Sequence, residues 1–573
     1  MYVADFETTT TPEDCRVWAW GLYKIGSIGG FEYGNTIDSF MERVKELSKE
    51  NATIYFHNLK FDGEFIINWL FKNGYDHITD KKEKREASFT TLISDKNQFY
   101  AMEVYYKVLK QRKTKRVKFL DSLKILPFSV AETAQAFNLP ISKLEIDYDK
   151  PRPIGYHLTV EEIEYLRNDC EIIARAIKYL FDDGLDRMTT AANALHDYKA
   201  MEGKPKFERL YPDPTYYDSD VRQAYRGGYT YVKAEISGQT IPGGIVLDVN
   251  SLYSYVMHDC FLPYGEPKFF KGKYKADKLY DVYVQMISCH FELKPGHLPT
   301  VQIKGSSMFV NTDYLTSSNG EDVVMILTNV DLALFLDHYD VTNLEYISGW
   351  KWKSSDQLFR EYIDKWNAVK VEATKEGNKP RRTLAKLQLN SLYGKFGMNP
   401  KTRSKIPYFD KEENHVKYKD GEPEERKPLY IPVATFVTSY ARNITIRAAQ
   451  SVYDRFLYAD TDSLHLSGYD LPAALDVDPV RLGAWKHESS FFRAKYLRAK
   501  SYIEDESTIT RTGFQIDFRT DLKVTCAGMP SKLHDQVTFD NFEIGALYPG
   551  KLRPCHVPGG IVLEETEFTI RPK

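Results

Sequence analysis

Three short segments in the second half of the chain carry residues suited to phosphoryl transfer. They span residues 248–253, 386–394 and 458–463, in that order. The first and third supply carboxylates, which are the ligands that Mg²⁺ prefers, and the middle one supplies a cation that can bind phosphate groups. This arrangement predicts a metal-dependent site for a triphosphate.

The carboxylates of these segments lie where strands are predicted to end. Asp248 follows the apolar run 243–247, and Asp460 and Asp462 are flanked by apolar residues, which indicates a hairpin with its acids at the turn. Asp-Thr-Asp alone is also a common turn sequence. The prediction of a site therefore depends on all three segments together.

The middle segment predicts a helix with one polar face. Arg382, Lys386, Asn390 and Tyr393 recur at helical spacing and share that face. It could bind a triphosphate through its cations and pack an aromatic ring against a nascent base pair. The alternative is a cationic helix face in water, which would not need an amide and an aromatic ring at those positions.

A second acidic set lies nearer the start of the chain. Asp5 and Glu7 project from one face of a predicted strand, and Asp62 precedes an apolar helix. A capping box predicts the start of a further helix, on which Tyr165 and Asp169 lie one turn apart. Each acid by itself is more often solvated than functional, but the set together predicts a second metal-dependent site.

Length and composition restrict the class of protein. A chain of 573 residues is too long for one core and predicts several domains. The net charge of −3 is compatible with nucleic-acid binding only if cationic grooves are offset by acidic regions. The six cysteines are scattered without a Cys-x-x-Cys pair, which argues against structural zinc and disulfides and predicts a reducing compartment.

Targeting signals are not visible in the sequence. No apolar run reaches the roughly 20 residues of a membrane span, and the first residues lack a basic stretch followed by an apolar one. We therefore expect a soluble cytoplasmic protein without a membrane partner.

The upstream acidic set resembles the DEDD exonucleases of the tyrosine type, which have an RNase H-like fold and form the proofreading domain of family-B DNA polymerases. The resemblance implies that Tyr165 orients the attacking water and that Lys143 assists catalysis. It implies these metal ligands: Asp5, Glu7, Asp62 and Asp169. It implies these contacts to the 3′ end of a primer: Thr8, Asn58, Phe61, Ser122, Leu123 and Tyr148.

The three downstream segments resemble motifs A, B and C of family-B DNA polymerases, and their wording is most similar to the protein-primed replicases of small tailed bacteriophages. The resemblance implies that Asp248 and Asp462 hold metal, with Asp460 in support. It implies these nucleotide-binding residues: Tyr253, Lys370, Arg382, Lys386, Asn390 and Tyr393. It implies these DNA contacts: Tyr225, Gly227, Gly228, Thr438, Arg442, Lys500 and Tyr502.

The same resemblance implies a multidomain α/β and α+β fold, with an RNase H-like 3′-5′ exonuclease domain followed by a right-hand polymerase domain. The exonuclease domain is expected over residues 1–187 and the polymerase domain over 188–573. The subdomains are expected as palm (188–259, 358–365 and 431–525), first insertion (260–357), fingers (366–396), second insertion (397–430) and thumb (526–573).

The implied activity is DNA-directed DNA synthesis with 3′-5′ proofreading, by two-metal chemistry with two Mg²⁺ ions per site and Mn²⁺ as a substitute. The implied partners are primer-template DNA, dNTPs and a terminal protein that primes synthesis. The family also implies processive, strand-displacing replication of a phage genome by a monomer in the cytoplasm of the infected bacterium.

Two positions depart from the family pattern. Ser254 replaces the usual proline after Tyr253, and this change could loosen a ring that in the family blocks a ribose 2′-hydroxyl. Arg382 stands where lysine is frequent and keeps the charge. The alternatives are an exonuclease whose second half only binds nucleic acid, a non-catalytic scaffold at a replication origin, and a ribonucleotide-adding enzyme, against which Tyr253 argues.

Overall fold

The computed structural model describes residues 1–108, 114–148, 150–302, 314–512 and 515–572. Its amino-terminal elements are β1 (Tyr2–Thr8), β2 (Val17–Lys24), β3 (Phe31–Gly34), α1 (Ile37–Leu47), β4 (Thr53–Phe56), α2 (Leu59–Lys72), β5 (Asp76–His77), β6 (Ser88–Ile93), β7 (Phe99–Val108), β8 (Thr114–Asp121), α3 (Val130–Ala136) and α4 (Val160–Asp182). The strands form a mixed sheet in the order β3-β2-β1-β4-β8-β7-β6-β5.

Helices cover both faces of this sheet. Side chains alternate along β1, so Ala4 and Phe6 pack with α1 and α2, whereas Val3 packs in the core that contains α4. The predicted capping box is present, because Thr159 accepts from the amide of Glu162 and the carboxylate of Glu162 accepts in return. This box fixes the start of α4, the helix that carries two of the predicted site residues.

The next part of the chain, from 190 to 355, includes a separate small sheet formed by its last four strands. Its elements are α5 (Thr190–Glu202), α6 (Lys204–Leu210), α7 (Asp218–Ala224), β9 (Thr230–Val232), β10 (Thr240–Val249), α8 (Leu252–Asp259), β11 (Leu262–Lys271), β12 (Val282–Leu293), β13 (Val323–Thr328), α9 (Asn329–His338) and β14 (Tyr339–Ser355). The order β11-β14-β12-β13 defines this sheet, and Phe291 and Phe335 lie in its own apolar core.

A helix pair and a hairpin follow. Their elements are α10 (Arg360–Lys375), α11 (Lys379–Phe396), β15 (Lys401–Thr402), β16 (Lys405–Asp410), β17 (His415–Asp420) and β18 (Glu424–Glu425). Helix α11 begins where Asn378 caps it and Pro380 lies in its first turn, a position that needs no amide donor. Strands β16 and β17 pair antiparallel and form a hairpin within the segment expected as the second insertion.

The remaining elements include the last five strands of a central sheet, together with one helix and a separate two-stranded hairpin. They are α12 (Ile431–Ser451), β19 (Phe456–Asp460), β20 (Ser463–Ser467), β21 (Trp485–Arg498), β22 (Ser501–Thr512), β23 (Gln515–Cys526), β24 (Leu547–Val557) and β25 (Gly560–Thr569). The sheet order is β23-β22-β21-β10-β20-β19-β9, so β10 lies between β20 and β21. Within the described ranges, no helix is both long and apolar enough to span a membrane.

Candidate active sites

The four upstream acids converge near the end of β1. Asp5, Glu7 and Asp169 line one cavity of about 760 Å³, and Asp62 is buried in the first turn of α2. Burial and the neighbouring Asp169 raise the pKa of Asp5 to about 7. Burial, together with the charge of Asp5, also raises the pKa of Glu7 and of Asp62 well above the usual range. The cluster therefore holds negative charge that a cation would stabilise.

Lys143 is the cation that faces this cluster. Its ammonium donates to Asp169 and to the hydroxyl of Tyr165, at 3.3 Å in the second case. Burial would lower the pKa of Lys143, but the adjacent Asp169 outweighs it and raises that pKa. The hydroxyl of Tyr148 lies 2.9 Å from that of Tyr165. The structure thus brings Lys143 and Tyr148, which are distant in sequence, to the predicted Tyr165–Asp169 pair.

The residues predicted to hold a primer end separate into two groups. The first group lines the acidic cavity and consists of Thr8, Asn58, Phe61 and Tyr148. Ser122 is instead buried, and its hydroxyl donates to the carbonyl of Phe56 at 3.0 Å. The amide of Leu123 donates to the carboxylate of Asp121 at 3.0 Å. Ser122 and Leu123 therefore shape the wall behind the cavity.

His57 and Asp121, two residues that the sequence analysis did not assign, complete this wall. The amide of Asn58, a residue with left-handed backbone (φ 78°), donates to Asp121 at 3.1 Å. The ring of His57 lines the cavity and lies 3.0 Å from the hydroxyl of Ser122. Asp121 directly precedes Ser122 in the sequence, but its function as a backbone anchor depends on the pairing of β4 with β8.

The downstream carboxylates meet on the central sheet. Asp248 lies near the end of β10, and Asp460 and Asp462 flank the tight turn between β19 and β20, as the sequence predicted. The amide of Val249 donates to the carbonyl of Asp462 at 2.8 Å, which fixes the two segments side by side. Burial raises the pKa of Asp462 to about 6, and the negative charge of Asp248 contributes to this rise. Burial also raises the pKa of Asp248.

Lysines pair with two of these three aspartates. The ammonium of Lys500 lies 2.7 and 2.9 Å from the two carboxylate oxygens of Asp460. The ammonium of Lys486 lies 3.3 Å from Asp248 and 2.8 Å from Glu488. Lys500 was predicted from its motif, whereas Lys486 was not. Its contact to Asp248 arises because β21 pairs with β10.

The predicted nucleotide pocket is formed by α8, α10 and α11. The rings of Tyr253 and Tyr393 stack with centroids 4.3 Å apart. The exposed face of α11 presents Arg382, Lys386 and Asn390 as predicted. Burial lowers the pKa of Lys370 on α10, and the charges of Arg382 and Lys386 lower it further. Such crowded cations would be stabilised by a polyphosphate.

Ser254, the residue that departs from the family pattern, is buried beneath this pocket. Its side chain is 1% exposed, and its hydroxyl donates to the carbonyl of Leu389 on α11 at 3.4 Å. This bond links α8 to α11, the two helices that carry the stacked tyrosines. The serine thus restrains the position of Tyr253 by a side-chain bond and not through a fixed backbone angle.

Several residues predicted to contact DNA are held in the interior. Arg442 and Thr438 on α12 are buried, and Arg442 pairs with Asp331 at 2.6 Å. Arg442 also donates to the carbonyl oxygens of Arg226 and Gly227, at 2.9 and 2.8 Å. In this conformation, Arg442 therefore fixes the loop 225–228 from behind.

Tyr502 is buried in the interior, and Gly228 lies close to the turn between β19 and β20. Tyr502 is 7% exposed and packs against Tyr458 with ring centroids 5.0 Å apart. A Cβ atom added at Gly228 would lie 2.6 Å from the side chain of Thr461, the residue between Asp460 and Asp462, whereas one at Gly227 would meet nothing within 4 Å. Gly228 is therefore required for the close approach of its loop to the catalytic turn. Tyr225, in the same loop, lies against Gly397 at the end of α11.

Both clusters offer donors that suit a hard divalent cation, because every side chain involved is a carboxylate. One oxygen of Asp169 is buried without a hydrogen-bond partner among the described residues, and the raised pKa of Asp5 reports unneutralised charge. In the described part of the chain, no three His, Cys, Asp or Glu side chains already have the geometry of a metal site. The donor sets therefore fit such an ion in chemistry and charge, with some rearrangement of side chains.

A central antiparallel sheet with three aspartates, preceded by a mixed sheet whose first strand and covering helices carry four acids, has the architecture of a family-B DNA polymerase. Residues 44–152 and 144–478 match the family described as DNA polymerase type B, organellar and viral, and the chain belongs to that family. It is 46% identical to the DNA polymerase of Bacillus phage phi29, over all of this chain and 99% of that protein. It is 36% identical to the DNA polymerase of Streptococcus phage Cp-1, over all of this chain and 98% of that protein.

Solved structures give the same result for the fold. The phi29 DNA polymerase complexed with primer-template DNA and incoming nucleotide substrates has a TM-score of 0.93 and 44% identity, with all of both chains covered. The prediction of an RNase H-like domain followed by a right-hand polymerase domain is confirmed. The chain is a DNA-directed DNA polymerase, as its motifs predicted.

Proposed function

We propose that this polymerase copies a phage genome from a protein primer, removes misincorporated nucleotides at a separate 3′-5′ exonuclease site, and displaces the non-template strand as it proceeds. The observation that carries this proposal is the presence of two distinct carboxylate clusters, one on β1, α2 and α4 and one on the central sheet, with separate lysine partners. One site that both adds and removes nucleotides would not need the second cluster.

At the polymerase site, Asp248 and Asp462 would hold two Mg²⁺ ions, with Asp460 in support. Divalent ions bound at either cluster, with Mn²⁺ as a possible substitute, would activate the attacking oxygen and stabilise charge on the leaving group. The triphosphate of an incoming dNTP would be bound by these cations: Lys370, Arg382 and Lys386. Asn390 lies on the same exposed face of α11.

The two stacked tyrosines of this site would form the floor under the incoming base and sugar. Tyr253 and Tyr393 already lie in contact, so the surface that a nucleotide would meet is formed before binding. Lys500 and Tyr502 would secure the primer terminus, and Tyr225, Gly227 and Gly228 would follow the template-primer backbone. Thr438 and Arg442 would support that loop from within.

At the exonuclease site, four acids would hold the metal: Asp5, Glu7, Asp62 and Asp169. Tyr165 would orient the attacking water, since its hydroxyl faces Lys143 and Tyr148 at the cavity. Lys143 would balance part of the charge of Asp169, a carboxyl whose pKa burial raises and the adjacent ammonium lowers in part. Thr8, Asn58 and Phe61 line the space in which the primer end would lie, with His57 and Ser122–Leu123 behind it.

The domain limits that we propose follow the elements of the structure. The exonuclease domain is assigned to 1–187, because α4 ends at Asp182 and the next helix begins after Thr189. The first insertion (260–357) corresponds to the separate sheet of β11–β14 and would contact the terminal protein. The fingers (366–396) correspond to the end of α10 and α11. The palm (188–259, 358–365 and 431–525) and thumb (526–573) make up the rest.

The second insertion (397–430) supports the proposal of processive synthesis, because it closes a ring of contacts with the exonuclease domain and the thumb. The hydroxyl of Tyr418 on β17 donates to Glu64 of α2 at 2.8 Å. His556 of the thumb hairpin lies 3.1 Å from the same carboxylate. Asn68 of α2 donates to the carbonyl of Gly559 at 3.1 Å. A closed ring would hold DNA through many cycles and would separate strands at its edge.

Primer extension tests the two activities. Purified protein, Mg²⁺ and a 5′-labelled primer on a longer template are incubated with and without dNTPs. Extension with dNTPs and shortening without them is the expected result. Shortening under both conditions would contradict a functional polymerase site, and extension without any shortening in the absence of dNTPs would contradict the exonuclease.

Processivity and priming need separate measurements. A single-turnover extension with excess trap DNA should give long products, and a Tyr418→Phe variant, which loses the bond to Glu64, should give shorter ones at an unchanged initial rate. Incubation with a candidate terminal protein and a labelled dNTP should transfer label to that protein. We further propose that the enzyme acts as a monomer in the cytoplasm of the infected bacterium, which size-exclusion chromatography and cell fractionation can check.

A further inference from the structure

Lys486 occupies a position that the catalytic motifs do not explain. It lies at the start of β21, directly opposite Asp248 in the antiparallel pairing with β10. Side chains opposite each other in such a pair share a face of the sheet, so the lysine and the aspartate meet at the polymerase site. The ammonium lies 3.3 Å from Asp248 and 2.8 Å from Glu488, between two carboxylates.

The three aspartates of this site differ in how their charge is balanced. Both carboxylate oxygens of Asp460 accept from the ammonium of Lys500, and one of them also accepts from the hydroxyl of Thr230 at 3.1 Å. Asp248 has Lys486 as its ion-pair partner. Asp462 makes no ion pair with any residue that the structure describes, although the charge of Lys486 reaches it. Lys486 is thus the cation that affects both proposed metal ligands.

The two lysines also differ in how firmly they are held. Lys500 has a left-handed backbone (φ 54°), and its amide donates to the hydroxyl of Tyr458 at 3.0 Å, so its position is fixed at both ends. Lys486 extends from a regular strand and lies between two carboxylates, and its second partner, Glu488, is half exposed. A lysine ammonium can exchange between such partners at low cost, because its charge is compact and its stem has several rotatable bonds.

We propose that Lys486 is a movable counter-ion of the polymerase site, which balances Asp248 in the free enzyme, shifts to Glu488 when a divalent ion and nucleotide bind, and thereby sets the divalent-ion concentration that polymerisation needs. The inference rests on the proposed assignment of Asp248 and Asp462 as metal ligands. Lys486 is a positioning residue, since it acts on the reaction through Asp248.

The physical reason is competition between cations for one carboxylate. An ammonium a few ångströms away offsets part of the negative potential that attracts a divalent ion, and it must move before that ion can use the facing oxygen. Removal of the ammonium therefore favours metal binding. Removal of the alternative anchor, Glu488, keeps the ammonium on Asp248 and disfavours metal binding. The two substitutions are predicted to act in opposite directions.

The first experiment measures the Mg²⁺ concentration for half-maximal primer extension at saturating dNTP. Lys486→Met should lower this midpoint about two- to fivefold, the range expected for a partly exposed ion pair. Glu488→Gln should raise it, and Lys486→Arg should keep it close to the value of the unsubstituted protein. An unchanged midpoint in Lys486→Met, or a shift in the same direction in Glu488→Gln, would overturn the proposal.

The exonuclease site serves as a control within the same molecule. Its Mg²⁺ midpoint, measured as primer shortening without dNTPs, should be the same in all four proteins, because its acids lie on β1, α2 and α4, away from β10 and β21. A parallel shift at both sites would mean a general change of charge or folding and would overturn the proposal. A change in the maximal extension rate without a change in midpoint would also contradict it.

The second experiment does not depend on activity. Mn²⁺ binding is followed by electron paramagnetic resonance, without DNA or nucleotide, in a background with Asp5→Ala and Asp62→Ala that removes ligands of the exonuclease site. Lys486→Met should bind Mn²⁺ about two- to fivefold more tightly than this background, and equal affinities would overturn the proposal. If the protein failed to extend primers at all, the proposed function would be lost, but this measurement would still decide the effect of Lys486.

Discussion

The two acidic clusters hold their carboxylates by different means. In the exonuclease domain, Glu7, Asp62 and Asp169 are at most 8% exposed, and Lys143 forms its ion pair with Asp169. In the palm, Asp248 and Asp460 are more open, and each has a lysine of its own. The carboxylates of the first cluster are thus mainly shielded from water, whereas two of those in the second are balanced by ion pairs. A buried cluster stores more repulsion in the absence of metal, whereas at the ion-paired cluster an ammonium competes with metal for Asp248.

The largest expected effect separates the clusters as catalysts. Asp462→Asn should reduce primer extension by about 1,000-fold and leave shortening intact, and Asp62→Asn should do the reverse, because each removes a ligand of one site only. The ligand assignments are those of the proposed function, and both substitutions keep the shape of the side chain. Extension and shortening rates on one labelled primer check this prediction. A loss of both activities in either variant would show that the two clusters are not independent.

The buried ion pair between Arg442 and Asp331 is expected to contribute more to stability than an exposed ion pair. Arg442→Ala leaves Asp331 buried without its partner and should lower the free energy of unfolding by about 3 kcal/mol. The matched control is Arg447→Ala, which breaks the exposed pair with Asp337 and should cost less than about 1 kcal/mol. Denaturant unfolding measures both values. Equal losses would mean that Arg442 is not a buried anchor.

A smaller effect is expected where the backbone approaches the catalytic turn. Gly228→Ala places a methyl group against Thr461 and should slow extension by about tenfold, because the turn with Asp460 and Asp462 must shift. Gly227→Ala, with open space around it, should change extension little. Shortening should be normal in both variants, since the exonuclease site lies elsewhere. If the two alanine variants extended primers equally, the close approach at Gly228 would have no catalytic consequence.

The last comparison of the two clusters is the pH dependence of stability without metal. The pKa of Asp5 is raised from 3.8 to about 7 and that of Asp462 from 3.8 to about 6. For a raised pKa, the stabilising contribution of the protonated form is complete below the unfolded value and is lost as pH rises through the folded value. Stability in chelator should therefore fall between pH 4 and about pH 7 at the exonuclease cluster, and between pH 4 and about pH 6 at the palm.

Thermal unfolding with chelator and with Mg²⁺ checks this prediction. Mg²⁺ should raise Tm by about 1–2 °C at pH 8 and by less at pH 5, where the carboxyls are protonated. Asp5→Asn should reduce the pH dependence of the exonuclease cluster, where Glu7 and Asp62 also have raised pKa values, and Asp462→Asn should reduce the part that ends near pH 6. A Mg²⁺ effect that did not depend on pH would contradict the assignment of these raised pKa values.

Much of each site could be predicted from sequence because it is local. The turn with Asp460 and Asp462, the polar face of α11 and the Tyr165–Asp169 pair on α4 all depend on the geometry of a single strand or helix. The same local rules did not indicate that Thr438 and Arg442 are buried, because a polar helix residue can face either solvent or a buried partner. Asp331, the partner of Arg442, lies 111 residues away in the chain.

The sequence by itself determined the family and the order of the domains and predicted the carboxylates of both sites, since motif spacing is a property of the chain. Only the tertiary structure decided which cation faces which acid: Lys143 meets Asp169 across the exonuclease cavity, and Lys486 meets Asp248 across two paired strands. It also decided that the hairpin of β16 and β17 and the thumb meet at Glu64. Such contacts depend on strand register and domain packing, which join residues that are distant in sequence and follow no local periodicity.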